Sequence, residues 1–332
     1  MARFPQLLLL GALALLPQQI LAAEWHLQRV PTPARVVAIE TVDGQPRINA
    51  GGLWYALERK GTAVTLKFLD APDAPKPPDG ALPDSKLAIG GHDIARAWLS
   101  EPTDRYEHGV LGDKLEAASL VIETRDGKQH MVRLKNDAVF EDLVPRIADL
   151  DGDGHDEVVL VKSYLQRGSA LAVVAERKGT YQIVAETPPL GAAQRWLNPA
   201  GIADFTGDGK RQIALVRQPH AVGALELWAW QDSKLKKMAE LTDVTNHIAG
   251  TRSIGMSAAA DFDGNNIADI ALPSFDRSHL RIIAFTPQPH EMASLALPAK
   301  ALTDFALLAA DKQPPLLALG LEDGTLAVVG YW

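Results

Sequence analysis

One segment of this chain occurs three times, and that repetition limits the folds open to it more than any other feature. Residues 148–161 read ADLDGDGHDEVVLV, residues 203–216 read ADFTGDGKRQIALV, and residues 260–273 read ADFDGNNIADIALP. The copies align without a gap on Asp149, Asp204 and Asp261. Self-similarity at a near-constant interval of roughly 50 residues marks a repeat architecture, in which one small unit recurs and buries its faces against its neighbours. Each copy continues alike. A β-rich run follows (158–161, 213–216, 270–272), then a polar stretch (KSYLQRG, RQPHAVG, PSFDRSH), then a second apolar run (ALAVVAE, ALELWAW, LRIIAF). In the first copy, a turn over 177–180 leads into YQIVAE. Short strands with regular turn signals predict an all-β fold. About four strands in a repeat of this length is the content of a β-propeller blade.

Weaker copies flank the clear ones. VVAIETVDGQPRINAGGLWYALERKGTAVTLKFL alternates strand and turn in the same order, and 94–134 has the content of another unit. The C-terminal FALLAADKQPPLLALGLEDGTLAVVGYW supplies about three strands, one short of a blade, and WHLQRV near the N-terminus could complete it and close a ring. Turns near 43, 105, 151, 206, 263 and 311 give about six blades, with seven as the alternative. The Pro-rich stretch 71–83 reads as a loop between blades. Residues 24–332 are therefore expected to form a single domain, with the clearest repeats over 137–290.

The loops at the head of each copy have the chemistry of a cation site. In the first, Asp149, Asp151, Asp153, His155 and Glu157 occupy alternate positions. Calcium takes six to eight hard oxygen ligands, and a backbone carbonyl, here that of His155, can be one of them. Gly152 and Gly154 permit the sharp turn. Without a cation the carboxylates would repel one another. The third loop offers Asp261, Asp263, Asn265 and Asp269 with the carbonyl of Ile267, and its Asn266 stands where the first loop has Gly154. Asn tolerates the left-handed conformation that this position needs. The second loop keeps Asp204 and Asp208 but has Thr206 and Gln212 in place of two carboxylates, with Lys210 at the carbonyl position and Arg211 beside it. It is expected to bind calcium weakly or not at all. An EF-hand starts similarly but needs flanking helices and a Glu at its twelfth position. Here the twelfth residues are Leu160, Leu215 and Leu272, and the flanks alternate as strands do.

ADLDGDGHDEVVLV and ADFDGNNIADIAL resemble the FG-GAP/VCBS repeats of integrin α propellers and of many secreted bacterial proteins. The resemblance covers about half of the chain. It implies a propeller whose calcium loops join the first two strands of a blade on its lower face. It does not imply any one activity, because that family has none.

No catalytic signature accompanies the repeats. His290-Glu291 begins a zinc-protease pattern, but Ser294 stands where the second histidine would be, and no nucleophile elbow, phosphate loop or dinucleotide fingerprint occurs. The loops at the opposite end of the repeats carry Lys162, Tyr164, Arg167, Arg195, Trp196, Arg217, His220, His247, Arg252, Phe275, Arg277 and His279, against Asp276 and Asp243. Arginine suits carboxylate, sulfate or phosphate, and aromatics suit sugar rings or apolar anchors. Of these, Arg167, Arg195, Trp196, Arg217, His220, Arg252, Phe275 and Arg277 are the expected ligand face. The leading expectation is a non-catalytic module that binds a protein or glycan, with an anionic partner fitting best. A propeller hydrolase or lyase with its site at the upper face or central channel is the alternative, and a subunit of an envelope assembly is a third reading.

Composition limits the setting. There are 33 basic against 41 acidic residues, a net charge of −8, which argues against broad nucleic-acid binding. There is no cysteine, so neither a disulfide framework nor thiolate-bound zinc can brace the fold. Residues 1–23 read as a secretory leader: Arg3, the apolar run LLLLGALALL over 7–16, a break at Pro17, and small residues at Ala22 and Ala23. The run is too short to span a bilayer, so export to the periplasm or beyond is expected, with no membrane span after the leader is removed.

Overall fold

The computed structural model describes residues 24–61, 63–70, 76–231, 233–310 and 313–331. The expected leader over 1–23 and part of the Pro-rich stretch, 71–75, lie outside the described residues. Every regular element among the described residues is a strand, and none of them forms a helix long and apolar enough to cross a membrane.

The chain opens with β1 (Trp25–Val30), β2 (Val36–Val42), β3 (Gln45–Ala50), β4 (Leu53–Lys60) and β5 (Ala63–Leu69). Next come β6 (Ala88–Ile89), β7 (Ile94–Thr103), β8 (Glu116–Thr124), β9 (Gln129–Arg133) and the short β10 (Ala138–Phe140). The first clear repeat gives β11 (Arg146–Ala148), β12 (Glu157–Tyr164), β13 (Gly168–Arg177) and β14 (Thr180–Glu186). The second gives β15 (Leu197–Ala203), β16 (Gln212–Arg217), β17 (Ala224–Gln231) and β18 (Lys234–Leu241). The third gives β19 (Ala258–Ala260), β20 (Asp269–Pro273), β21 (His279–Ala284) and β22 (His290–Ala296). The chain ends with β23 (Ala306–Ala310), β24 (Gln313–Gly320) and β25 (Leu326–Tyr331).

β2 to β5, β15 to β18 and β19 to β22 each pair in chain order as a four-stranded antiparallel sheet. β23, β24 and β25 make three strands of another, and its fourth is β1, with Trp25 opposite Tyr331 and Val30 opposite Leu326. The strand missing from the C-terminal unit is thus supplied by WHLQRV. The remaining strands join in one nine-stranded sheet instead of two separate units. Within it β6 to β9 and β11 to β14 are each antiparallel sets, and β10 bridges them by pairing with β12 over its whole length and with β8 at Phe140. The bridge forms because 138–140 is an apolar triplet, AVF, that is fully buried between the two sets.

Two-residue periodicity explains how the sheets stack. Along β12, Val158 and Leu160 face the β6–β9 set, while Val159 and Val161 face the β15–β18 sheet. Along β16, Ile213 and Leu215 pack back on that first layer, and Ala214 and Val216 pack forward against β20. Leu317 and Leu319 of β24 meet the β19–β22 sheet, and Leu316 and Ala318 meet β2–β5. A strand covered on both faces must be apolar at every position, so the second and third strands read as continuous hydrophobic runs. The outer strands β18 and β22 are covered on one side and alternate with solvent. Each buried Leu or Ile in these layers contributes ~1.5–3 kcal/mol. The described residues also line a recess of about 270 Å³ whose wall combines Glu40 of β2 with Asp84 and Lys86 from the β5–β6 connection, Arg252 from the β18–β19 connection and Asp304 ahead of β23.

Candidate metal centre

The three repeated loops join β11 to β12, β15 to β16 and β19 to β20, the first two strands of each clear repeat. Their closure is the same in register. Ala148 pairs with Glu157, Ala203 with Gln212 and Ala260 with Asp269, so the residue before the first aspartate faces the ninth loop residue each time. The second loop position is an apolar anchor, Leu150, Phe205 or Phe262, sunk fully into the layer below. Its backbone N–H donates to the ninth side chain: Leu150 to Glu157 Oε2 at 3.0 Å, Phe205 to Gln212 Oε1 at 2.8 Å and Phe262 to Asp269 Oδ2 at 3.2 Å.

The first aspartate organises the turn. Asp149 Oδ1 accepts from the N–H groups of Gly152 and Asp153, and Oδ2 accepts from Gly154. Asp204 does the same for Gly207, Asp208 and Gly209, and Asp261 for Gly264, Asn265 and Asn266. Asn266 has φ +68°, the left-handed conformation expected of it. The three backbones are therefore alike, and the difference lies in what the side chains do inside.

In the first loop, ligand oxygens of Asp149, Asp151 and Asp153 all lie within 4.8 Å of one another. In the third loop, those of Asp261, Asp263 and Asp269 do. Each set holds a buried oxygen with no hydrogen-bond partner among the described residues, Asp151 Oδ1 in one and Asp269 Oδ1 in the other. Asp269 is only 1% exposed. A buried carboxylate oxygen left without a partner is costly, and a cation in the cluster would satisfy it. Burial pushes the Glu157 carboxyl up to about 8, helped by the charges of Asp151, Asp153 and Asp149. Burial likewise pushes Asp269 up to about 7, against the Phe262 N–H, with Asp263 and Asp261 adding to the rise. Asn265 Oδ1 accepts from the Ile267 N–H at 2.7 Å. His155 is exposed, and its Nδ1 lies 3.5 Å from Asp93 Oδ2.

The second loop is filled differently. Gln212 Nε2 donates to Asp208 Oδ1 at 3.2 Å and to the carbonyl of Lys210 at 3.1 Å. These are the fifth-position carboxylate and the seventh-position carbonyl, the acceptors expected to face a cation. The amide of Gln212 satisfies both acceptors. Thr206 Oγ1 is left buried and unpartnered there, a neutral hydroxyl in the place of a carboxylate.

A neighbouring acid that sequence reasoning passed over ties the first loop to the β6–β7 turn. Asp156 is buried; its carboxylate accepts from the His92 N–H at 2.8 Å and meets His92 Nδ1 at 3.1 Å. Its own N–H donates to Asp93 Oδ1 at 2.7 Å.

Because consecutive strands are antiparallel, the loops after β12, β16 and β20 lie at the opposite end of those strands. The arginines expected there are paired, more than the few local acids suggested. Arg217 bonds Glu226 at 2.7 Å and Glu240 at 3.2 Å, Arg252 bonds Asp84 at 2.6 Å and Asp113 at 3.1 Å, and Arg277 bonds Glu322 at 2.7 Å. Arg195 donates to the Leu190 carbonyl, and Arg167 lies 3.8 Å from the centre of the Tyr164 ring. Lys162 and Tyr164 share Glu186. His279 Nδ1 lies 2.8 Å from Ser278 Oγ. Phe275 is exposed beside Gly223, whereas Trp196 is buried against His220 and His247. The partners of Arg252 and Arg277 come from connections far away in sequence, and those of Arg217 from the next two strands, outside the loops whose composition was read. Also at this end is an unforeseen buried set: Glu141, bonded to His108, Ser163 and Ser169, and Glu116 close enough to feel its charge. Its only sequence signal is the pair of acids in AVFEDLV, inside an otherwise apolar run.

No protein-family model matches the chain, and no curated protein matches it.

Proposed function

We propose that this chain is an exported, calcium-braced β-propeller of the FG-GAP/VCBS kind, and that it works as a non-catalytic module holding a protein or glycan partner. The observation that carries the metal reading is the buried, unpartnered Asp269 Oδ1 inside an acidic cluster, with Asp151 Oδ1 as its counterpart in the first loop. Both clusters supply only oxygen, the donor set that calcium prefers. The propeller reading is supported by sets of four antiparallel strands stacked face to face in chain order, and by β1 completing the sheet of β23–β25. The partner surface would be the loop end away from the metal loops, where Phe275 is exposed among the ion-paired arginines.

Calcium that binds the folded chain alone raises its stability by about 2.7 kcal/mol per site at a hundredfold excess over Kd. Melting curves in EGTA and in millimolar Ca2+ are therefore expected to separate widely, and elemental analysis to find calcium in the purified protein. Coincident curves would sink the metal reading. For the binding role, a glycan array and an affinity capture from envelope extract, each run with and without Ca2+, distinguish a lectin from a protein binder. Capture that survives charge reversal at Arg195, Arg217 and Arg277 together would remove the proposed face.

A further inference from the structure

The recess of about 270 Å³ that β2 shares with four connections has charges in its wall that do not cancel one another. Arg252 is accounted for: it bonds Asp84 of the same wall at 2.6 Å and Asp113 at 3.1 Å. Glu40, Lys86 and Asp304 are not. Among the described residues the side chains of Glu40 and Lys86 make no ion pair and no hydrogen bond, and Asp304 makes no ion pair. Two acids and one base thus line one small space without partners, in a protein whose other wall and loop charges are mostly matched.

Asp304 is half-buried and firmly placed. Its Oδ1 accepts from the Gly255 N–H at 2.9 Å, and the Phe305 N–H donates to the Gly255 carbonyl at 2.8 Å. A Cβ at Gly255 would meet Asp304 Cγ at 3.1 Å, so the carboxylate packs directly against the backbone there. Oδ2 has no hydrogen-bond partner among the described residues. A carboxylate held partly out of water, with one oxygen unmatched, favours a positively charged donor. Burial raises the Asp304 carboxyl; the Gly255 N–H and the charge of Lys86 oppose the rise, and Glu40 adds to it. A bare metal ion does not fit this wall. Among the described residues, the acidic oxygens that gather within 4.8 Å of one another belong to the first and third repeated loops, not to Glu40, Asp84 and Asp304. An ammonium group needs no such convergence, because its three N–H donors can reach separate acceptors.

We propose that this recess binds a small zwitterion of the aliphatic α-amino acid class, with its ammonium group against Asp304 and Glu40, its carboxylate toward Lys86 and its side chain on Ile39 and Leu143. The last two line the same recess and give it apolar surface. A simple amine would leave Lys86 unmatched, and a simple carboxylate would leave both acids unmatched, whereas a zwitterion answers both signs at once. The wall is pre-formed: the Lys86 N–H donates to the Leu143 carbonyl at 2.7 Å, and Arg252 ties Asp84 in place. A few fixed polar groups beside apolar surface are what orient a small molecule in a pocket. This ligand depends neither on calcium in the acidic loops nor on the partner proposed for the opposite loop end.

The test is isothermal calorimetry of the full chain in excess Ca2+ with three probes: L-leucine, isopentylamine, which lacks the carboxylate, and isocaproate, which lacks the ammonium group. L-leucine should bind saturably, and isocaproate at least about tenfold more weakly. Asp304→Asn keeps an acceptor for the Gly255 N–H and removes the charge, so it should weaken L-leucine about tenfold. Lys86→Met should weaken it about threefold, since the lysine is exposed, and should leave isopentylamine unchanged. Asp126→Asn, the same loss of charge at another exposed site, should change nothing. Absence of saturable L-leucine binding, binding that neither Asp304→Asn nor Lys86→Met weakens, or isopentylamine binding as tightly as L-leucine overturns the proposal. None of these results bears on whether the acidic loops hold calcium.

Discussion

The second repeated loop and its two companions share a backbone and differ at one decisive side chain. In all three the first aspartate gathers the same N–H groups, the second residue anchors below, and the ninth side chain holds that anchor's N–H. In the first and third loops the ninth residue is an acid, Glu157 or Asp269, and the interior has unmatched negative oxygen. In the second it is Gln212, whose amide donates to the acceptors that an ion would take. The shape of the loop therefore does not require a metal. A carboxylate at the ninth position creates a demand for positive charge, and a carboxamide supplies two N–H donors and removes that demand.

That contrast can be attacked directly. The largest effect is expected from Asp269→Ala, which removes a proposed calcium ligand and the acceptor of the buried Phe262 N–H. Urea unfolding in Ca2+ should show a loss of about 3 kcal/mol or more, and in EGTA only about 1 kcal/mol. Equal losses in both conditions would mean that Asp269 braces the anchor and nothing else. Next in size is Gln212→Glu. It takes both amide donors from Asp208 and Lys210 and sets a second acid beside the first, so about 1–3 kcal/mol should be lost in EGTA. In Ca2+ the loss should be recovered, with calorimetry counting one more ion than in the parent. Unchanged stability in EGTA would break the account of the amide as the donor to both acceptors.

Glu116 extends the comparison to another buried acid, whose Oε2 has no partner among the described residues. Burial, and then the charges of Glu141, Asp113 and Asp142, raise its carboxyl to about 10 from the ordinary 4.5. The folded chain keeps this proton while the unfolded chain gives it up. The stability associated with it is fully present below about pH 4.5 and is lost as pH rises toward 10. Glu116→Gln imitates the protonated acid, so it should flatten that decline and exceed the parent by at least about 1 kcal/mol at pH 8. A parallel pH profile in the variant would show that Glu116 is not the titrating group. The smallest effect is expected from Asn266→Gly. It relieves the left-handed φ and should change the unfolding free energy by less than about 1 kcal/mol.

Features set by nearby residues were legible in the sequence. The loop donors lie within nine positions of one another, so spacing alone located the turns and the left-handed Asn266, whereas the closure by the ninth side chain on the anchor's N–H appears only in the structure. The layers could be read from continuous apolar runs such as 158–161. The amide of Gln212 was legible only as a missing ligand; that it donates into the vacated place depends on its side-chain direction, which residue type does not give. Features set by distant residues were hidden. Arg217 finds Glu240 across β17, and Arg252 finds Asp84 and Asp113 from connections far upstream. The bridge made by β10 was hidden for the same reason, since a buried AVF triplet does not announce which two strands it will join.

The pairing of β1 with β25 also decides how the molecule answers a pull. Trp25 and Tyr331 are cross-strand neighbours, and the chain leaves both at the same end of the ladder. Antiparallel hydrogen bonds run perpendicular to their strands. Tension applied through the two ends of the chain would thus load one rung at a time, from Trp25 toward Val30, and peel the strands apart like a zipper. During synthesis β1 emerges first yet must wait for β25, so this sheet is among the last to close.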